Sequence, residues 1–176
     1  MKNAVVVGVD PGKSGFICLL GLGNVEHIAP EFYPMPVVQP VNGKCQYDTA
    51  GLVRLFRSFT GMFDVRLAVI ESQQAYPGQG GTSNFSTGYG YGLLMGVAAA
   101  VGLAVDSPHP RTWQKDLCRD LPGDPKMKSI LASGRLFPTV DLRRTERCKG
   151  PDDNKSDSLL IAEWGRRKVQ NMGMLG

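Results

Sequence analysis

The sequence is poor in the residues that build zinc sites and disulfide frameworks. It has two histidines, and its four cysteines (Cys18, Cys45, Cys118 and Cys148) form no C-x-x-C pair. That spacing argues against a zinc centre and reads as four reduced thiols in a cytoplasmic compartment, bacterial or phage-infected. No apolar stretch approaches the roughly 18 residues of a membrane span. The apolar run 5–9 is cut off by Asp10, too early for a signal peptide. There is no internal repeat and no linker-like segment, so residues 1–176 read as one domain. Neither sign of charge dominates: 20 Lys and Arg against 16 Asp and Glu give +4. That balance permits a nucleic-acid partner without requiring one. The distribution says more, because residues 111–168 hold most of the basic side chains. A polyanion would meet mainly the C-terminal half.

What the chain does have is a buried, β-branched opening. Residues 3–9 are apolar after Asn3, the pattern of a strand covered on both faces. Residues 10–15 form a turn, and 16–21 read as a second strand, antiparallel to the first. A weaker third strand is expected over 25–35, then a loop over 36–43. Asp48 stands as the N-cap of an amphipathic helix with Leu52, Leu55, Phe56 and Phe59 at i, i+3, i+4 and i+7. Residues 66–70 are another apolar strand. Residues 73–92 are rich in Gly, Gln, Ser, Asn and Tyr and have no hydrophobic period until about Thr87, which reads as a long functional loop. Residues 93–101 read as a buried helix and 103–107 as a short strand. Helices are expected over 111–118, 126–137 and 153–168, the last with Leu160, Ile161 and Trp164 turned inward. A charged connection spans 141–151. The order is that of an α/β fold, a mixed five-stranded sheet with helices on both faces.

Four acids sit at the ends of these buried elements. Asp10 follows the first strand directly, and Glu71 closes Leu67-Ala68-Val69-Ile70 in the same way. A lone carboxylate beside such a strand is costly unless it is paired or holds a metal. Asp153 and Asp157 lie four apart on an expected helix, so they share a face and repel. A cation between them is the simplest relief. Taken singly, Asp10 would be an ordinary turn residue and Asp157 a solvated helix start. Together the four make a hard-oxygen site of the kind Mg²⁺ or Mn²⁺ prefers.

Val7-Gly8-Val9-Asp10-Pro11-Gly12 with Ser14-Gly15 resembles the opening G-[IV]-D-P-G-x-x-G of the RuvC-type Holliday junction resolvases, in the ribonuclease H-like superfamily. Ile70-Glu71 resembles their second acidic position. Residues 152–162, Asp-Asp-Asn-Lys-Ser-Asp-Ser-Leu-Leu-Ile-Ala, resemble the final motif H-D-G-x-A-D-A-L-L-I-A of the phage and plant-plastid branch. Arg111-Thr112-Trp113-Gln114-Lys115 is similar to that branch's P-x-x-W-[KQ]-K segment. Two departures stand out: Asp152 replaces the usual His, and Asn154 the usual Gly. Bacterial resolvases place the third acid where this chain has Asn154, so the third ligand lies between Asp153, the first choice, and Asp152.

The resemblance implies a Holliday junction resolvase: a metal-dependent endonuclease making paired symmetric nicks in branched DNA, with two Mg²⁺ (or Mn²⁺) ions per site. Asp10 would bridge the two ions, Glu71 would hold one, and Asp153 and Asp157 the other. Lys115, by its motif, or Lys128 would stabilise the transition state. On the loop after Glu71, Gln74 is placed to read bases, and Tyr76 or Phe85 to wedge into the crossover. Arg111, Lys115, Lys128, Arg143 and Arg144 would hold duplex phosphates. A homodimer is implied by the family; the 93–101 helix, with Gly96 and its alanines, reads equally as dimer face or core. No nucleotide cofactor is expected, because 176 residues leave no room for the second domain of an actin-like or sugar-kinase phosphotransferase. A broader branched-DNA or flap endonuclease, and a non-catalytic junction-binding module, remain as alternatives.

Overall fold

The computed structural model of the chain describes residues 1–23, 29–41, 43–74, 78 and 80–173. The β-branched opening forms β1 (Ala4–Val9), and the turn after Asp10 returns the chain as β2 (Phe16–Gly21). Both are buried almost throughout, as their continuous apolar runs require. β3 (Glu31–Pro34) pairs with β2 and takes only the end of the expected 25–35 strand; residues 24–28 lie outside the described residues. Where a plain loop was expected over 36–43, Val37–Val38 forms β4, which pairs with β5 (Gln46–Tyr47). Two-residue strands are too short to carry a legible period. α1 (Thr49–Met62) starts where expected, with Asp48 Oδ1 accepting from the Gly51 N–H at 2.8 Å. β6 (Asp64–Ile70), α2 (Gly81–Ala100), β7 (Val105–Asp106), α3 (Pro110–Leu117), α4 (Pro125–Leu136) and α5 (Asp153–Asn171) complete the chain.

The sheet order is β3-β2-β1-β6-β7; the first three strands are antiparallel, and β1, β6 and β7 are parallel. Leu52, Phe56 and Phe59 of α1 and Leu94 and Ala98 of α2 pack on Val5, Val7, Val9 and Ile70. On the other face Trp113, Ala132, Leu160 and Ile161, from α3, α4 and α5, pack on Val6 and Val69. This is the mixed five-stranded sheet with helices on both faces.

The long loop expected over 73–92 is corrected: α2 begins at Gly81, before the first large apolar residue of its buried face. That face runs Gly90, Leu94, Val97 and Ala98, with Ser86 and Thr87 partly buried ahead of it. Gly90 is there because the Tyr47 ring fills the space its side chain would need. A stripe made of Ser, Thr and Gly is invisible to hydrophobic periodicity.

Gly8 decides where α5 lies. A Cβ on Gly8 would stand 2.7 Å from the Cα of Ala162, and one on Gly165 would stand 2.9 Å from Val6. The backbone of α5 therefore rests directly on β1 and runs antiparallel to it. Its N-terminal turns point at Asp10. Among the described residues no helix is long and apolar enough to cross a membrane.

Candidate active site

Asp10 and Glu71 stand one residue beyond the ends of adjacent parallel strands. β1 and β6 are in register at Val9 and Ile70, and the Glu71 N–H donates to the Val9 carbonyl at 3.2 Å. The turn after Asp10 folds back over its carboxylate. The Asp10 N–H donates to the Phe16 carbonyl at 3.0 Å, and the Gly12 N–H to Asp10 Oδ1 at 3.4 Å. A Cβ on Gly15 would lie 2.9 Å from Asp10 Oδ2, so the carboxylate occupies side-chain space that glycine leaves free. Asp153 and Asp157 arrive from the first two turns of α5.

These acids feel one another. Each of Asp10, Glu71 and Asp157 keeps some surface open, yet burial is the largest influence on all three. Asp10 is pushed up to about 7 by burial, then by the charges of Asp157 and Glu71, against a small pull from the Gly12 N–H. Glu71 is pushed up to about 7 by burial, against the pull of the Trp113 indole N–H, which donates to Oε1 at 3.0 Å. Gln73 donates to its other oxygen at 3.3 Å. Asp157 is pushed up to about 6 by burial; Ser129 draws it down and Asp153 raises it. Ser129 lies close enough to act on that charge, but neither its Oγ nor Asp157 Oδ1 completes a hydrogen bond among the described residues. A buried carboxylate oxygen left unpaired is costly, which marks it as a group with a partner to come.

Asp153 differs. Its Oδ2 meets Lys126 Nζ at 2.6 Å, and that hydrogen bond holds its pKa below the ordinary value. Asp152 turns elsewhere: Oδ1 caps α5 through the Lys155 N–H at 3.1 Å, and Oδ2 takes Arg144 Nε at 2.6 Å.

No family model and no curated protein matches the sequence. Solved structures match over nearly the whole chain. The Thermus thermophilus RuvC structure aligns with 96% of this chain and 96% of its own, at 16% identity and a TM-score of 0.59. T. thermophilus RuvC in complex with Holliday junction substrate gives 97% and 96%, 16% identity and 0.63. The yeast mitochondrial Holliday junction resolvase Ydc2 gives 96% and 80%, 14% identity and 0.60. The chain has the RuvC fold.

On that RuvC fold the residues singled out from the sequence fall into three groups. Asp10, Glu71, Asp157 and Asp153 come together at one end of β1. Arg111, Lys115 and Lys128, joined by Arg119, which the sequence did not single out, line an open pocket of about 330 Å³ between α3 and α4. Cys118, in its wall, is pushed up to about 11 by burial, then further by Asp157, with Lys128 opposing. The basic pocket therefore adjoins the acids. The third group is scattered over several elements. Phe85 is on α2 rather than on a loop, and three-quarters exposed. Gln74 is exposed; Tyr76 lies outside the described residues. Arg143 pairs with Asp141 at 2.8 Å, and Arg144, besides Asp152, donates to the Ser14 carbonyl at 2.6 Å. Arg144 thus ties the C-terminal connection to the Asp10 turn.

Three side chains go beyond the sequence reading. Trp113 was legible only as part of a motif, and the structure makes it the donor to Glu71. Lys126, rather than Lys115 or Lys128, is the lysine in contact with an acid of the cluster. Nothing in the spacing of 126 and 153 signals that pair. Tyr47, whose hydroxyl donates to the Pro11 carbonyl at 2.7 Å, buttresses the Asp10 turn from β5.

Proposed function

We propose that the chain is a metal-dependent, structure-selective DNA endonuclease that resolves four-way junctions by paired symmetric nicks. One observation carries this reading. Asp10, Glu71 and Asp157 converge as crowded carboxylates with raised pKa values, and one buried oxygen of Asp157 has no hydrogen-bond partner among the described residues. The set is all oxygen and all acidic, which fits Mg²⁺ or Mn²⁺ in donor type and charge. Among the described residues no three His, Cys, Asp or Glu side chains stand ready to hold a metal ion, so binding would have to draw these carboxylates closer.

Asp10, Glu71, Asp153 and Asp157 would hold the ions. Bound ions supply phosphate neutralisation and an activated water. The protein's part is positional. Trp113 fixes the Glu71 carboxylate, the Asp10 turn is held by Gly12, Gly15 and Tyr47, and Gly8 lets α5 bring in Asp157. The engagement of both Asp152 oxygens by the helix cap and Arg144 favours Asp153 as the third ligand. Lys115 and Lys128 would steady the phosphate from the basic pocket, with Arg111 holding the adjoining backbone.

The junction as substrate is supported by the shared fold, since one of the matched proteins was solved with Holliday junction substrate and another is a Holliday junction resolvase. A symmetric homodimer would supply the two cuts. α2 favours it: Gly88, Gly92 and Gly96 are exposed along one side with open space at each Cβ position, beside exposed Ala99 and Ala100. Four free cysteines accord with a cytoplasmic location. The Lys126–Asp153 pair favours a second reading, a junction-binding module that does not cut. A panel of four-way junction, flap and linear duplex in Mg²⁺ separates these. Cutting of the junction alone is expected. Equal cutting of the flap moves the reading to a broader nuclease, and tight binding with no cutting moves it to the binding module.

A further inference from the structure

Arg144, one of the basic side chains expected on duplex phosphate, is engaged within the molecule. Its Nε donates to Asp152 Oδ2 and its Nη2 to the Ser14 carbonyl, both at 2.6 Å. The guanidinium lies over the Phe16 ring, 4.9 Å from its centroid. Each contact leads to a segment that carries an acid of the cluster. Asp152 is the N-cap of α5, one residue before Asp153. Ser14 precedes Gly15, whose missing Cβ gives Asp10 Oδ2 its space. Phe16 accepts the Asp10 N–H through its carbonyl.

The connection that carries Arg144 is itself fixed. The Asp152 N–H donates to the carbonyl of the buried Leu142 at 2.8 Å. Lys155 Nζ donates to the Asp141 and Arg143 carbonyls at 3.0 Å each and sits over the Phe32 ring of β3. Exposed ion pairs contribute little by themselves. The Asp152 side chain, however, is only 13% exposed, and its other oxygen is taken by the Lys155 N–H. A planar guanidinium can meet a carboxylate and a carbonyl at once while lying on a ring; an ammonium cannot reproduce that fork. Asp152 stands where the resembled motif has His, and a neutral imidazole would offer Arg144 no negative charge.

We propose that Arg144 is a positioning residue: it latches the Asp10 turn to the start of α5 and so holds Asp10 beside Asp153 and Asp157 for metal uptake. The inference rests on the nuclease reading above, and it takes Arg144 out of the phosphate-binding set. The acids oppose this approach, since the charges of Asp157 and Asp153 both act on Asp10. Gly8 seats the middle of α5 on β1, and the Arg144 latch secures its first turn against the turn it faces. Without the latch, repulsion would part the two segments, and their carboxylates would have further to close on an ion.

The test compares the full wild-type chain with Arg144→Lys, which keeps the charge, and Arg144→Met, which keeps the stem over Phe16. Mn²⁺ binding to the DNA-free protein is followed by calorimetry, and four-way junction binding in EDTA by fluorescence anisotropy over a salt series. Both variants should bind Mn²⁺ roughly ten- to a hundredfold more weakly. In Mg²⁺ their kcat should fall by a similar factor, with KM for the junction little changed. Junction affinity in EDTA, and its slope against salt, should stay at the wild-type values. The proposal is overturned if Arg144→Lys matches wild type in Mn²⁺ affinity while Arg144→Met loses junction affinity and about one unit of salt slope, which would return Arg144 to the phosphates. A lowered Tm with Mn²⁺ affinity intact in the folded variants would overturn it too, leaving a strap for stability alone. Wild type that binds Mn²⁺ more tightly than either variant but cuts no DNA would overturn the nuclease reading and leave the latch. Wild type that cuts the junction while both variants bind Mn²⁺ and cut equally would do the reverse.

Discussion

Asp10→Asn should make the metal-free protein more stable and at the same time remove its response to divalent ions. Asn keeps the shape and can still accept from the Gly12 N–H, but it removes a charge that burial, Asp157 and Glu71 all oppose. Raising a carboxyl from 3.8 to about 7 corresponds to roughly 4 kcal/mol, at about 1.4 kcal/mol per pH unit. Asp10 keeps some contact with solvent, so screening brings the expected gain to about 2–4 kcal/mol at pH 8. An acid with a raised folded pKa binds its proton more tightly folded than unfolded. Stability therefore falls as pH climbs from the unfolded pKa to the folded one. The advantage of Asn should be absent near pH 3.8, grow through the interval, and level off above about 7. For a chain of this size that is roughly 5–15 °C in Tm at pH 8 in EDTA. Mg²⁺ should then raise the wild-type Tm and leave the variant nearly unmoved. Thermal unfolding at several pH values, with EDTA and with a Mg²⁺ series, reads all of this. Equal Tm values at pH 8 in EDTA, or the same Mg²⁺ response in both proteins, would refute the reasoning.

Two further outcomes follow from neighbouring residues. Gly8→Ala should cost roughly 2–4 kcal/mol in chemical denaturation, because the new methyl meets the backbone of α5 rather than a movable side chain; a cost below about 0.5 kcal/mol would mean α5 is not seated there. Trp113→Phe removes the donor that draws Glu71 down, so the acid limb of the pH–rate profile should move up by about one pH unit. A limb that stays put or moves to lower pH would show that Glu71 does not have to ionise for cutting.

The parts of the fold that could be read in advance are those whose signal is apolar. β1, β2 and β6 are runs of buried aliphatic residues, and the acids that end them announce themselves by following such runs. α1 shows a clean stripe and a capping aspartate. α2 was legible only from Leu93 onward, since its earlier inward positions are the partly buried Ser86 and Thr87 and the buried Gly90, and Gly90 makes sense only beside Tyr47. The joint placement of Asp10 and Glu71 follows from strand ends, but the seating of α5 depends on Gly8, whose significance appears only when Ala162 lies over it. Ion pairs are the least legible. Lys126 with Asp153, and Arg144 with Asp152 and Ser14, join segments whose separation in sequence carries no periodicity. These contacts depend on how α4, α5 and the charged connection fold over one another.

The account is tested most directly by incubating the protein with a labelled immobile four-way junction in Mg²⁺ and in EDTA, with Asp10→Asn alongside, and mapping the products on a denaturing gel. Paired nicks at symmetric positions across the junction, absent in EDTA and absent in the folded Asp10→Asn protein, are the predicted result. An intact junction in Mg²⁺ and Mn²⁺ alike, or nicking that persists in the variant, would contradict it.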